Sequence, residues 1–378
     1  MSGWDTSDRG ATIKAVEVIP VRVPLGHVFK GSNYSMSNRC TLITRVHTED
    51  GRVGEAYNGD ADEEQLVILR IIERELAPRL LGLDGRNLES CWQAMLPCTL
   101  DILRDRTVGL QAMACIDSAL WDLLGKTLQA PLSSIWGGYR AELPFIAIAG
   151  YYTDRPNGIE EEAQRYLELG LAGVKFKVGG RSPEEDAERV KRLRREVGPG
   201  FLISADANQG YDLRQALQFA RLTADCDLLW FEEPCSWQQD RTWMRDLRLM
   251  TGVPVTAGQS ETDPLGVRAL ITTGAIDFCN FDASWGGGPS QWRRVAGMAA
   301  LCGVRMAHHE EPQISGQLLA AISHGTVVEG FLPERDPIFW GMIENRAPFQ
   351  GGRYQVPRGP GWGISLDQKF VERYRADR

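Results

Sequence analysis

Acid, amide, lysine and histidine side chains recur in this chain at the ends of short apolar runs, where they could hold a cation and move protons. FLISADAN closes on Asp206 and Asn208, LLWFEEP on Glu232 and Glu233, and VPVTAGQ on Gln259, with Glu261 two residues on. GVKFKVG carries Lys175 and Lys177, IDFCNFDA reaches Asp282, VRMAHHE reaches His308 and His309, and TVVEGF holds Glu329. A buried strand that finishes in carboxylates places charge at the rim of a sheet. Two adjacent strands doing so build an oxygen-rich cation site of the kind Mg²⁺ takes, with water and substrate completing the shell. An ion pair or a helix N-cap would explain one such residue. A recurrence at intervals of roughly 20–27 residues, about one strand-and-helix unit each, points to a shared site.

The order of the runs suggests roles. The third, fourth and fifth are neighbours, so their oxygens can converge on one cation. Lys175 and Lys177 share a face by the period of two, and a neighbouring ammonium is expected to lower a lysine's pKa toward the range of a general base. The sixth and seventh runs lie across a closed barrel from the second, so a lysine and a histidine would face each other over a bound molecule. Asp282 can fix the tautomer and orientation of His309, whereas His308 reads as packing.

The elements that must position these residues follow from the pattern. From Leu143 onward, apolar runs alternate eight times with amphipathic helices such as EEEAQRYLELG and SPEEDAERVKRLRREV. That grammar predicts a closed (β/α)₈ barrel. An open doubly wound sheet is the alternative, weakened by the lack of GxGxxG after the first run. Residues 12–60 alternate like antiparallel strands around a long polar loop at 24–38, and 61–135 carry helical periodicity. The predicted organisation is an α+β capping domain over 1–140, the barrel over 141–335, and a segment over 336–378 that returns to the cap. Lys30, Tyr34 and Tyr57 are the candidate substrate contacts from the cap, whose polar loops suit a hydroxyl-rich molecule.

Composition narrows the function classes. The net charge of -8 disfavours nonspecific nucleic-acid binding and a basic membrane face, so an anionic substrate needs a metal or lysines. The eight cysteines include no CxxC pair, which disfavours disulfides and zinc. No apolar run approaches a membrane span, and MSGWDTSDRG lacks the apolar region of a signal peptide; a cytoplasmic protein is expected.

With its motifs in this order, the sequence resembles the mandelate racemase-like group of the enolase superfamily over essentially its whole length. The resemblance is carried by Lys175-Phe-Lys177, Asp206-Ala-Asn208, Glu232-Glu233-Pro234, Asp282 with His309, Glu329, and the helical SALWDLLGK at 118–126. It implies Mg²⁺ bound to a substrate carboxylate and a base that removes the adjacent α-proton. By position, Lys177 and His309 (with Asp282) match the two acid/base groups, and Lys175 assists. Asp206 and Glu232 match metal ligands, Asn208 a substrate-hydroxyl contact, and Glu329 an acid that binds the substrate carboxylate. Gln259 stands where the family usually has an acidic third ligand. Because Mg²⁺ favours anionic oxygen, Glu261 is the expected ligand, with Gln259 as the alternative. The implied reaction is dehydration of a sugar acid by a homo-oligomer of two to eight subunits. A racemase, epimerase or cycloisomerase is the runner-up, and a metal-independent Schiff-base lyase comes third.

Overall fold

The computed structural model describes residues 9–376 except 60, 61, 63, 154, 156, 347 and 348, so the polar first eight residues lie outside it. Three antiparallel strands come first, in chain order across the sheet: β1 (Ile13–Lys30), β2 (Ser35–Thr48) and β3 (Val53–Asn58). The loop expected over 24–38 is mostly strand. β1 and β2 stay paired out to Lys30 and Ser35, with an irregularity between Pro24 and Phe29. The reversal is confined to 31–34, where Gly31 N–H donates to Tyr34 O at 3.0 Å. A ribbon with solvated side chains needs no apolar alternation, so its composition resembles that of a loop.

The helices α1 (Gln65–Ile71), α2 (Ala77–Leu80), α3 (Leu88–Met95), the 22-residue α4 (Arg106–Thr127) and α5 (Leu132–Ile135) follow. Asp105 caps α4 by accepting from Thr107 N–H at 2.9 Å. Most of α4 is buried, and SALWDLLGK bonds outward in several directions. Ser118 Oγ accepts from Asn58 Nδ2 at 3.1 Å, Trp121 Nε1 donates to Ser290 Oγ at 2.9 Å, and Asp122 accepts from the N–H groups of Glu55 at 2.8 Å and Trp362 at 3.0 Å.

Strands and helices then alternate: β4 (Glu142–Ala149), α6 (Gly158–Glu168), β5 (Gly173–Lys177), α7 (Pro183–Val197), β6 (Leu202–Asp206), α8 (Leu213–Leu222), β7 (Leu228–Glu232), α9 (Asp240–Thr251) and β8 (Val255–Ala257). The series continues through α10 (Pro264–Thr272), β9 (Phe278–Cys279), α11 (Pro289–Leu301), β10 (Arg305–Met306), α12 (Pro312–Ala321) and β11 (Val328–Phe331). Neighbours from β4 to β10 pair in parallel in chain order, and β11 pairs with β4. A bridge from Met306 to Gly325 joins β10 to the segment entering β11, so the sheet curls into a barrel. No eighth crossover helix of ordinary length follows β11 among the described residues. A five-residue wide turn, Ile338–Met342, takes its place. The chain then lays β13 (Arg353–Gln355), paired with β12 (Phe349–Gln350), against the start of β4, and α13 (Gln368–Tyr374) ends the regular structure.

The Gly286-Gly-Gly288 run makes a close contact. Trp92 Nε1 donates to Gly287 O at 3.0 Å, and Gly288, at φ 93°, packs so tightly on Asp117 that any Cβ there would collide with it.

Candidate active site

Sheet register explains why distant residues meet. Lys177, Asp206 and Glu232 are cross-strand partners in one row over β5, β6 and β7, and Lys175 and Ser204 lie one row pair below. All of these are buried, inside strands whose flanking residues are apolar. Lys177 Nζ donates to Asp206 Oδ2 at 2.6 Å and Asn208 Oδ1 at 2.9 Å. Lys175 Nζ reaches Glu232 Oε1 at 2.9 Å and Glu329 Oε2 at 2.7 Å, with Asp206 Oδ2 at 4.0 Å. Glu232 also accepts from Asn280 Nδ2 at 2.9 Å and Trp230 Nε1 at 3.0 Å.

Above this layer is a cavity of about 270 Å³ lined in part by Tyr34, Lys177, Asn208, Gln259, His309 and Glu310. The β1–β2 turn covers one side of it. Ser32 Oγ donates to Ala207 O at 2.9 Å, Asn33 Nδ2 to Asn208 O at 3.2 Å, and the Lys177 ammonium sits 5.5 Å from the centre of the Tyr34 ring. On the opposite wall His309 Nδ1 donates to Asp282 Oδ2 at 3.0 Å, its Nε2 faces Glu310 Oε1 at 3.1 Å, and Trp285 lies 5.6 Å from its ring. His308 is sealed in: its Nδ1 donates to His309 O at 2.7 Å and its Nε2 accepts from Ala283 N–H at 3.0 Å. Backbone strain collects here. Asn208, Gln209, Glu233, Glu310 and Glu311 all have positive φ, and such strain in non-glycine residues tends to mark functional sites.

Two expectations about the site are corrected. Glu261 does not reach the cavity. β8 ends at Ala257, Gly258 turns the chain at φ 141°, and Glu261 Oε1 accepts from Arg241 Nη2 at 2.6 Å. Lys177 is not lowered by its neighbour. Burial works most strongly against its charge, but Asp206, Tyr34 and Tyr151 together hold its pKa well above the ordinary lysine value. Of the other candidates, Lys30 lines an adjoining cavity, Tyr57 is buried away from either, and Glu329 lies beneath the site with Lys175. His309 is also raised well above its ordinary value: burial opposes its charge, but Glu310 and Asp282 prevail. Burial lowers His308.

Two features show that a divalent cation fits these donors. First, the ammonium of Lys175 stands between Glu232 and Asp206, so positive charge is what this position accepts. Second, Gln259 Oε1 is buried with no hydrogen-bond partner, while its Nε2 donates to Glu233 Oε2 at 2.9 Å. Among the described residues no three His, Cys, Asp or Glu side chains gather as a metal cluster. The Gln259 amide oxygen is a donor of another type that could serve beside Asp206 and Glu232. Arg39, Asn280 and Glu310 also bond around the site, and of these only Glu310 had a signal in the sequence, the HHEE run.

A parallel barrel with acids, amides, lysines and a histidine at the carboxyl ends of its strands, under an α+β cap, has the layout of a barrel enzyme. Residues 13–137 match the mandelate racemase / muconate lactonizing enzyme N-terminal domain and 158–370 the enolase C-terminal domain-like family; the chain belongs to this group of the enolase superfamily. A mandelate racemase/muconate lactonizing enzyme from a marine actinobacterium, solved in complex with magnesium, is 48% identical, with a TM-score of 0.92 over 97% of this chain and 100% of that one. Arabinonate dehydratase of Saccharolobus solfataricus is 29% identical over 88% of this chain and 90% of its own length. The 3,6-anhydro-alpha-L-galactonate cycloisomerase of Streptomyces coelicolor is 28% identical over 94% and 97%.

Proposed function

We propose that this chain catalyses Mg²⁺-dependent removal of the proton α to a carboxylate, and that the reaction is dehydration of a sugar acid (an aldonate or aldarate) to a 2-keto-3-deoxy acid. The observation that carries this reading is the pair of walls around one cavity: Lys177 bonded to Asn208 on one side, His309 bonded to Asp282 on the other. Asp206, Glu232 and Gln259 would hold the ion. When bound, Mg²⁺ supplies the positive charge that makes a proton beside the substrate carboxylate acidic. Lys177, when neutral, is the base, and the Asn208 amide oxygen orients its amine. His309, kept charged by Asp282 and Glu310, gives its Nε2 proton to the departing β-hydroxyl, which would otherwise leave as costly hydroxide. The β1–β2 turn restricts water on the lysine side. Asn208, Gln209 and Ser260 offer hydrogen bonds to a hydroxyl-rich chain.

The likeness to a cycloisomerase supports a second reading, in which the same proton is removed and a different step follows. A Schiff-base lyase fits less well. It gives no role to the buried Gln259 Oε1, which has no hydrogen-bond partner and which the metal reading uses. The test is a screen of acid sugars with Mg²⁺ for 2-keto product. Product that disappears with EDTA is the expected result. Epimer or ring-opened product without dehydration would assign the second reading, and turnover that survives EDTA would overturn both.

A further inference from the structure

Glu310, the residue after His309, is built in more tightly than a surface acid. Asp282 takes Nδ1 of His309 at 3.0 Å, which leaves Nε2 as the nitrogen toward the cavity, and Glu310 Oε1 lies 3.1 Å from it. The other carboxylate oxygen, Oε2, accepts from Arg39 Nη1 at 3.3 Å. Arg39 comes from β2 and is 1% exposed; it also donates to Glu311 Oε1 at 2.7 Å and Asp336 Oδ1 at 3.1 Å. Glu310 and Glu311 are consecutive left-handed residues, at φ 52° and 46°. A left-handed non-glycine residue is strained and persists only where its surroundings over-determine it. Here the surroundings are an arginine fork from another sheet and the ring of His309.

We propose that Glu310 is a positioning residue for His309: its carboxylate, fixed in place by Arg39, holds the cavity-facing nitrogen and presents the imidazole as a proton donor. This rests on the reading of His309 as the acid of the reaction. The charged groups that face His309 come from several elements. Asp282 after β9 and Glu310 after β10 contact it directly, and Lys175 of β5 opposes its charge from the barrel interior. Glu233 after β7 senses its charge, while His308 below has both nitrogens engaged. Arg39 and Arg335 act on the far side of Glu310. Two carboxylates in contact with one ring favour its doubly protonated form, and removing one should weaken that preference. Because Glu310 and a substrate hydroxyl compete for the same N–H, Glu310 must yield Nε2 on binding, while Arg39 retains its other oxygen.

The test is an NMR titration of ring-labelled histidine in the full chain with saturating Mg²⁺. The signal is assigned by its loss in His309→Asn. In the wild type His309 should titrate above the ordinary value of about 6.5. In Glu310→Gln it should fall by about 1–3 pH units. Glu310→Asp keeps the charge and tolerates the left-handed backbone, so it should stay closer to the wild type. A His309 that titrates at or below the ordinary value in the wild type overturns the proposal without any variant. So does an unchanged titration in a folded Glu310→Gln protein. Full dehydration by His309→Asn would instead sink the reading of His309 as acid and leave the Glu310 titration to be judged separately.

Discussion

At the scale of single residues, the third metal donor gives the sharpest prediction. Gln259→Ala should weaken Mg²⁺ binding by about 10-fold or more, a scale reached even by groups that merely support ligands. Glu261→Ala should leave it unchanged, because Glu261 is occupied by Arg241. Calorimetric titration with Mg²⁺ decides, and the opposite ranking would restore Glu261. A second prediction separates the two walls. In D₂O, His309→Asn should lose dehydration yet still exchange the α-proton, whereas Lys177→Met should lose both; full dehydration by both variants would remove the two-walled mechanism. Lys175, Lys177, Asp206, Glu232, Asp282 and His309 were legible because each interrupts or ends an apolar run, and the period of two tells which face it takes. Glu261 misled because the same period was extended past the last strand residue, Ala257, through Gly258. Glu310 stayed hidden because its role depends on Arg39, whose partners lie far away in sequence.

Among the elements, the barrel strands were legible and the β1–β2 ribbon was not. Polar side chains at 24–38 describe a solvated surface equally well in a loop or a strand, and only the backbone ladder distinguishes them. The contact of α4 with the start of α11 carries its own prediction. Asp117 accepts from Ser290 N–H and Ser290 Oγ, both at 2.8 Å, against Gly288. Burial pushes its carboxyl up to about 7 from 3.8. The folded chain therefore binds this proton more tightly than the unfolded chain does. The stability it contributes is fully present below the unfolded value of 3.8 and is lost as pH rises through about 7. Asp117→Asn cannot lose a proton. Melting temperatures across that range should show the variant gaining on the wild type as pH rises, then a constant difference above it. A difference that is the same at every pH would mean that Asp117 carries no such burden.

Across the whole molecule, α4 ties the cap, the barrel and the returning segment together, which explains why SALWDLLGK is as telling as the motifs at the strand ends. Asp122 is the knot. It is 2% exposed and accepts from Glu55 N–H on β3 and Trp362 N–H beyond β13, beside Lys126, which also donates to Val53 O at 3.1 Å. Trp362 Nε1 adds a bond to Ser118 O at 3.0 Å. Asp122→Ala strands two backbone donors, one of them fully buried, and a buried donor left unmade costs on the order of 1–3 kcal/mol. The loss should fall unevenly, because the barrel strands draw their hydrogen bonds from one another and not from Asp122. Amide hydrogen exchange should quicken at 53–56 and 361–363 by more than in β5, β6 and β7, and the melting temperature should drop. Local loosening of this kind is what a joint between units predicts, since each side keeps its own core. Exchange that quickens equally in the barrel strands would show instead that cap, barrel and tail open as one cooperative body, with Asp122 only one contributor among many.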